Sequence, residues 1–258
     1  MSGSVTTRVI GSIAEILITN PERKNAISQD MWGQLDDCIR LVDSNDYVKV
    51  VIVHGGDGNF VAGADISEFK DLRQSGQSSH TYDENTEKAL LRLRRTSKVT
   101  IALIEGYCIG GGVSIAVACD FRIGAADSIY QVPPARLGIS YPLGSLSRLV
   151  ELVGPTNAKW MIFTAARLSA VEAESIGLIR SVASDAIWEY VDDLARQISE
   201  NAPLSIMATK RVIEALSNGG DSVADVANEM SEKTLSSRDY LEALEAFSQK
   251  RQPKFEGR

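Results

Sequence analysis

The sequence predicts an α/β protein: tandem strand and helix units forming a core, followed by an all-helical region. Two β-branched runs, Val50-Val51-Ile52-Val53-His54 and Val99-Thr100-Ile101-Ala102-Leu103-Ile104, read as buried strands, and each leads through a glycine-bearing loop into helical spacing. Strand signals stop near residue 185, after which four helical patterns carry apolar stripes. The 258 residues, 44% hydrophobic and 24% charged, suffice for one sizeable core with an appended subdomain.

From the N-terminus, residues 7–10 and 13–18 form a hairpin about Gly11-Ser12, and Asn20-Pro21 ends its second strand. Ser28 is placed to cap a helix in which Met31, Leu35, Ile39 and Val42 share one face, down to about Asn45. The strand at 49–54 runs into the first glycine loop, Phe60-Val61-Ala62-Gly63-Ala64-Asp65-Ile66. Residues 71–79 are polar and glycine-bearing, the composition of a mobile segment near a site. A charged helix with Leu90, Leu91 and Leu93 hands over to the strand at 99–104 and the second loop, Gly106-Tyr107-Cys108-Ile109-Gly110-Gly111-Gly112. Residues 113–118 read as a small-residue helix, and 120–123 and 129–132 as short strands. The closing helical patterns cover 185–199, 203–216, 222–235 and 238–249. They carry more apolar stripe than they can bury among themselves, which calls for packing on the core, on another subunit, or on both.

No run approaches the roughly 18–20 apolar residues of a membrane span, and the N-terminus lacks the basic-then-apolar layout of a secretory signal, so a cytoplasmic location is expected. The cysteines, Cys38, Cys108 and Cys119, are odd in number, lie in apolar stretches and lack metal-ligand spacing; buried thiols are expected, and no metal. A net charge of −7 argues against nucleic acid as a partner, which requires a basic face. A small anionic ligand is still served by local basic groups at Arg23-Lys24 and at Lys250, Arg251 and Lys254.

The two glycine loops share a layout of strand, glycine and helix start. Glycine lets the backbone turn and approach a ligand closely, and the first amides of a helix lack internal partners and carry its positive end. Two such loops can aim two N–H groups at one oxygen, the parts of an oxyanion hole.

At these residues the chain resembles the crotonase superfamily, the enoyl-CoA hydratase and isomerase group. The resemblance runs through Asn20-Pro21-Glu22-Arg23-Lys24-Asn25-Ala26, the Ala62-Gly63-Ala64-Asp65 loop, the block from Gly106 to Asp120, Leu137-Gly138, Gly177-Leu178-Ile179, Ala202-Pro203-Leu204 and the ending from Phe247 to Phe255. It implies a spiral of repeated β-β-α units over residues 1–197, a C-terminal helical trimerisation region over 198–258, and a homotrimer or dimer of trimers. It also implies acyl-CoA substrates, with coenzyme A part of the substrate and no other cofactor. The amides of Ala64 and Gly111 would bind the thioester oxygen. Lys24, Asn25, Ala26, Ala62, Asp65, Ile66, Ser67, Gly110 and Pro134 would line the CoA chain and acyl group, and the C-terminal basic residues would lie near the CoA phosphates.

Hydratases of this family use two glutamates, and the matching positions here are Ser114 and Pro134. Neither side chain exchanges a proton as a carboxylate does, and a positioned acid or base is worth about 10²–10⁴ in rate. Decarboxylation of a malonyl-type thioester needs an enolate hole and no proton abstraction. The stretch from Pro133 to Pro142 and Lys159-Trp160-Met161-Ile162-Phe163-Thr164 resemble the methylmalonyl-CoA decarboxylase subgroup, which makes Tyr141 a candidate for orienting a leaving carboxylate; that subgroup carries a histidine where this chain has Ala64. The expected reaction is therefore lyase chemistry, a decarboxylation. Its alternatives are hydration or isomerisation with unconventional acid and base groups, and acyl-CoA binding without catalysis. Each residue also has a structural alternative: Tyr141 as a packed aromatic, Ser114 as a small helix residue, Glu68 as solvated in place of a replacement base, Asp65 as a turn stabiliser, and His54 as structural. His80, in the polar stretch, would enter the pocket only if that segment folds over it.

Overall fold

A computed structural model of the chain describes residues 3–65, 68, 76–183, 186–218 and 222–258; for residues 76–83, 181–183 and 218 it describes the backbone. The expected hairpin is formed by β1 (Ser4–Ile10) and β2 (Ile13–Thr19), antiparallel, with Ile10 opposite Ile13 across a turn in which Gly11 takes φ 61°. Beyond β2 the sheet is parallel: β3 (Val50–Gly55), β4 (Val99–Ile104), β6 (Phe121–Ala125) and β9 (Ser181–Ala183) complete the order β1-β2-β3-β4-β6-β9. Every residue of β3 and β4 is buried, as a parallel sheet covered on both faces requires.

Alternate residues of β3 serve the two covers. Val51 and Val53 face a core built with α1 (Gln29–Asp43), whose Met31, Trp32, Leu35, Ile39 and Val42 are buried. Val50 and Ile52 face Ile187, Val191 and Ala195 of α7 (Ile187–Ser199). Ser28 caps α1, its Oγ accepting from the Met31 amide at 3.3 Å. Helix α2 (Gly76–Arg95) packs on α1, and buried Asp36 of α1 ion-pairs with Lys88 and Arg92 of α2. Residues 76–79, expected in a mobile stretch, thus open a helix; 71–75 lie outside the described residues.

A second sheet, β5 (Tyr107–Ile109), β7 (Ile129–Gln131) and β8 (Leu168–Ser169), carries the site. Three residues expected in the second glycine loop are therefore strand. Helix α3 (Gly111–Ala118) follows at once, starting two residues earlier than its apolar pattern suggests. Helix α4 (Pro134–Leu137) is one turn long. Helix α5 (Leu143–Thr164) is broken at Gly154, φ 75° and ψ 162°, just before Pro155. A capping box of Ser169 and Glu172 starts α6 (Ala170–Ser175).

The last helices are α8 (Pro203–Asn218), α9 (Val223–Leu235) and α10 (Arg238–Gln249), close to their expected spans. The chain end is tied back onto them: Asp239 accepts from the amides of Glu256 and Gly257, and Arg251 forms a two-pronged pair with Glu242 at 2.6 and 2.9 Å. Arg251, expected near CoA phosphates, is thereby committed within the chain. Leu216, Leu235, Leu241, Leu244 and Phe247 of these helices are exposed, as are Trp160 and Phe163 of α5. Among the described residues no helix is long and apolar enough to cross a membrane.

Candidate active site

The first glycine loop leaves the C-terminal end of β3 and is held from both sides. Its Phe60 and Val61 amides donate to Glu105 and Tyr107 carbonyls at 2.8 and 2.9 Å, and Val61 accepts from Ile109 at 2.9 Å. On the other flank the Ala62 amide donates to Lys24 O, Ile27 donates to Gly63 O, and Asp65 donates to Ile27 O at 2.9 Å. Within 60–65 this leaves the amides of Gly63 and Ala64 without a backbone acceptor among the described residues. The second loop meets it there. Gly110, at φ 52° and ψ −105°, donates to Gln131 O and turns the chain so that Gly111 opens α3. First in its helix, the Gly111 amide has no internal acceptor.

Of these, the Ala64 and Gly111 amides are neighbours. A methyl group on Gly111 would stand 3.8 Å from the Ala64 nitrogen and 3.5 Å from Ile27 Cγ2 and Trp32 Cζ2. The approach depends on glycine next door, because a methyl on Gly112 would sit 2.3 Å from Val61 O. Converging amides beside the positive end of a helix favour an oxygen on which negative charge develops.

Ser114, one turn into α3, is buried. Its hydroxyl donates to the Tyr141 oxygen at 2.9 Å, and Tyr141 in turn donates to Gly110 O at 3.2 Å. Burial pushes the Tyr141 phenol well up, only partly offset by Ser114, so it stays protonated. The two alternatives for Tyr141 thus coincide: it packs against the core, and its hydroxyl still abuts the glycine turn. Pro134 is buried at the start of α4, and its neighbour Pro133 reaches within 3.9 Å of a methyl built on Gly110.

Among the CoA-side residues, Lys24 and Asn25 both take left-handed backbone, φ 50° and 60°. Lys24 Nζ stands 4.2 Å over the Tyr107 ring, a contact that no local pattern marks. The Asn25 side chain is committed within the chain. It accepts from the Asn20 amide at 2.8 Å and donates to Gly56 O and Asn59 O at 2.7 Å each, so it staples the turn at 20–25 to the loop at 56–59. Ala26 is also buried, its carbonyl accepting from Asn20 Nδ2. Asp65 pairs with Arg23 and fixes the loop.

Glu68, half-buried, accepts from the Gln29 amide at 2.8 Å, at the start of α1, a partner that neither of its expected roles included. Ile66 and Ser67 lie outside the described residues, as does the His80 side chain. His54 is buried edge-on against Trp188, and burial lowers its pKa. Cys108 and Cys119 are fully buried thiols, the latter pushed up to about 12 by burial; Cys38 is half-buried. Glu87 of α2 was not singled out from the sequence, because nothing local marks a helix glutamate; it accepts from the Gly144 amide at 3.2 Å, beside Ser114.

The sequence matches the enoyl-CoA hydratase/isomerase family over residues 8–258. It is 33% identical to the short-chain-enoyl-CoA hydratase of Clostridium acetobutylicum, across 96% of this chain and 94% of that protein. It is 30% identical to a peroxisomal Delta(3,5)-Delta(2,4)-dienoyl-CoA isomerase of Arabidopsis thaliana, across 95% of this chain and 92% of that one. The fold superposes on an enoyl-CoA hydratase/isomerase family protein from Hyphomonas neptunium with a TM-score of 0.95, 36% identity and 98% of each chain covered. These relatives carry hydratase and isomerase names, and none of the three is named a decarboxylase. By family match and by fold, this chain belongs to the enoyl-CoA hydratase/isomerase family.

Proposed function

We propose that the protein acts on enoyl-CoA thioesters, adding water to the double bond or shifting it, through an enolate whose oxygen is held by the amides of Ala64 and Gly111. The observation that carries this reading is the convergence of those two amides, neither of which donates to another backbone group among the described residues. A thioester carbonyl gains a full charge on becoming an enolate, so fixed donors strengthen as the reaction proceeds. One such donor is worth about 10²–10³ in kcat, or about 2.7–4 kcal/mol. The hydratase and isomerase names of its relatives favour proton chemistry over the loss of carbon dioxide.

In this reading the backbone of residues 24–26 and Ala62 borders the CoA chain, Lys24 offers a cation to it, and the acyl group runs along α3 past Ser114 toward Pro134 and Tyr141. The exposed apolar residues of α5 and α8 to α10 fit assembly into a homotrimer or a dimer of trimers, to be read by sedimentation.

Decarboxylation of a malonyl-type CoA thioester is the second reading, favoured by Ser114 and Pro134 at the positions where the family's hydratases carry glutamate. Turnover of crotonyl-CoA, a 3-enoyl-CoA and methylmalonyl-CoA separates the two. Consumption of either enoyl thioester supports the first. Carbon dioxide release without enoyl turnover overturns it in favour of the second, and tight acyl-CoA binding with no turnover overturns both.

A further inference from the structure

An enolate hole alone does not add water; something must carry a proton. The hydroxyls of Ser114 and Tyr141 are occupied with each other and with Gly110 O, and burial holds the phenol neutral. Pro134 has no titratable group. The chain therefore needs a carboxylate from another direction.

On the side of Ser114 facing α2 and α5 is a cavity of about 50 Å³, bordered by Glu87, Leu90, Ser114, Gly144 and Ser145. Ser145 is 4% exposed, and its hydroxyl has no hydrogen-bond partner among the described residues. Leaving such a group unpaired costs about 1–3 kcal/mol unless something fills the space. A water needs a cavity of at least about 10–15 Å³ and two to four polar partners. Ser145 Oγ, the Glu87 carboxylate and Ser114 Oγ, as an acceptor only, supply three.

Glu87 is set up to serve that water. Its Oε1 accepts from the Gly144 amide at 3.2 Å, while Oε2 has no partner among the described residues. A methyl on Gly144 would come within 2.9 Å of Oε2, so glycine there lets the carboxylate lie against the start of α5. Ser114 links cavity and hole: it borders the cavity and follows Gly111 by three residues, about 4.5 Å along a helix axis.

We infer that Glu87 is the proton-transferring carboxylate of this site, acting on a water held between Ser114 and Ser145. The inference rests on the enoyl-CoA reading above and narrows it to hydration. As the water oxygen bonds to the β-carbon, Glu87 takes one of its protons and the Cα=Cβ electron pair moves onto the thioester oxygen, held by Ala64 and Gly111. The enolate then collapses, the α-carbon takes the proton from Glu87, and the carboxylate is restored. One whole water has been added.

The test is steady-state hydration of crotonyl-CoA by wild type, Glu87→Gln and Glu87→Asp. Gln keeps an acceptor for the Gly144 amide but cannot take a proton. Glu87→Gln should lose about 10²–10⁴ in kcat with KM and melting temperature little changed. Glu87→Asp should recover part of the rate. Wild-type hydration with Glu87→Gln within threefold of it overturns the role of Glu87 alone. A wild type that hydrates no enoyl thioester overturns the enoyl-CoA reading and Glu87 with it. Equal loss of melting temperature and rate in both variants returns Glu87 to capping α5.

Discussion

Replacing Gly111 by alanine separates the fold from the chemistry at one carbon atom. The added methyl would meet Ile27 Cγ2 and Trp32 Cζ2 at 3.5 Å and the Ala64 nitrogen at 3.8 Å, all ordinary contact distances. The fold therefore accepts it. Alanine in the first turn of a helix is also favoured over glycine by up to about 1 kcal/mol. An oxygen bound by both amides must lie about 2.7–3.1 Å from each donor, and a methyl in contact with one of them crowds that place. The expected result is an unchanged or slightly raised melting temperature with kcat for an enoyl-CoA reduced about 10²–10³-fold, as if one donor were lost. Gly112→Ala is the contrast. Its methyl would lie 2.3 Å from Val61 O, whose residue is pinned by its amide to Tyr107 and by its carbonyl to Ile109. That clash costs about 1–3 kcal/mol or more, at about 2–4 °C of melting temperature per kcal/mol in a chain of this size. Thermal melts and steady-state rates of the two variants decide the matter. Gly111→Ala with a wild-type rate, or melting as low as Gly112→Ala, would refute the reasoning.

Other sites give sharper structural readings. Burial alone would raise the Asp36 carboxyl, but Arg92 and Lys88 more than offset it and hold it below 3.8. Its contribution is thus present above that pH and lost as pH falls through the lowered value, so Asp36→Asn should cost about 1–3 kcal/mol at pH 7, discounted for the exposed cations, with the gap to wild type held down to about pH 4 and closing only below it in denaturant titrations. His54, lowered from 6.5 by burial, is neutral when folded, so the unfolded chain binds more protons in acid and stability should fall below about pH 6.5; His54→Gln should flatten that slope. Asn25→Ala removes one accepted and two donated hydrogen bonds and should cost roughly 2–4 kcal/mol in chemical denaturation. Glu68→Gln should leave the rate within a few-fold of wild type, because Glu68 serves the start of α1; a loss beyond 10²-fold would make it the base.

The elements legible in the sequence are those whose pattern is local. Gly11 with alternating neighbours marks the hairpin, Ser28 with a 3.6-residue stripe marks α1, and the C-terminal stripes mark α8 to α10 within about two residues. Strands β5 and β9 are three residues each and exist only through pairing with β7 and β6, which no local pattern encodes. Helix α5 is obscured by the break at Gly154 and by outward-facing Trp160 and Phe163. In the site, the free amides were legible because glycine and a helix start are sequence features. The occupations of Asn25, Glu68 and Glu87 were not, because each is decided by a backbone group from a distant segment.

The most direct test of the paired amides is the isotope-edited carbonyl stretch of a bound 1-¹³C enoyl-CoA. Two donors aimed at the thioester oxygen should shift the band to lower frequency on binding to the wild type, and Gly111→Ala should reduce the shift clearly while the ligand still binds. A band that stays at its solution position in the wild-type complex would contradict the assignment of Ala64 and Gly111.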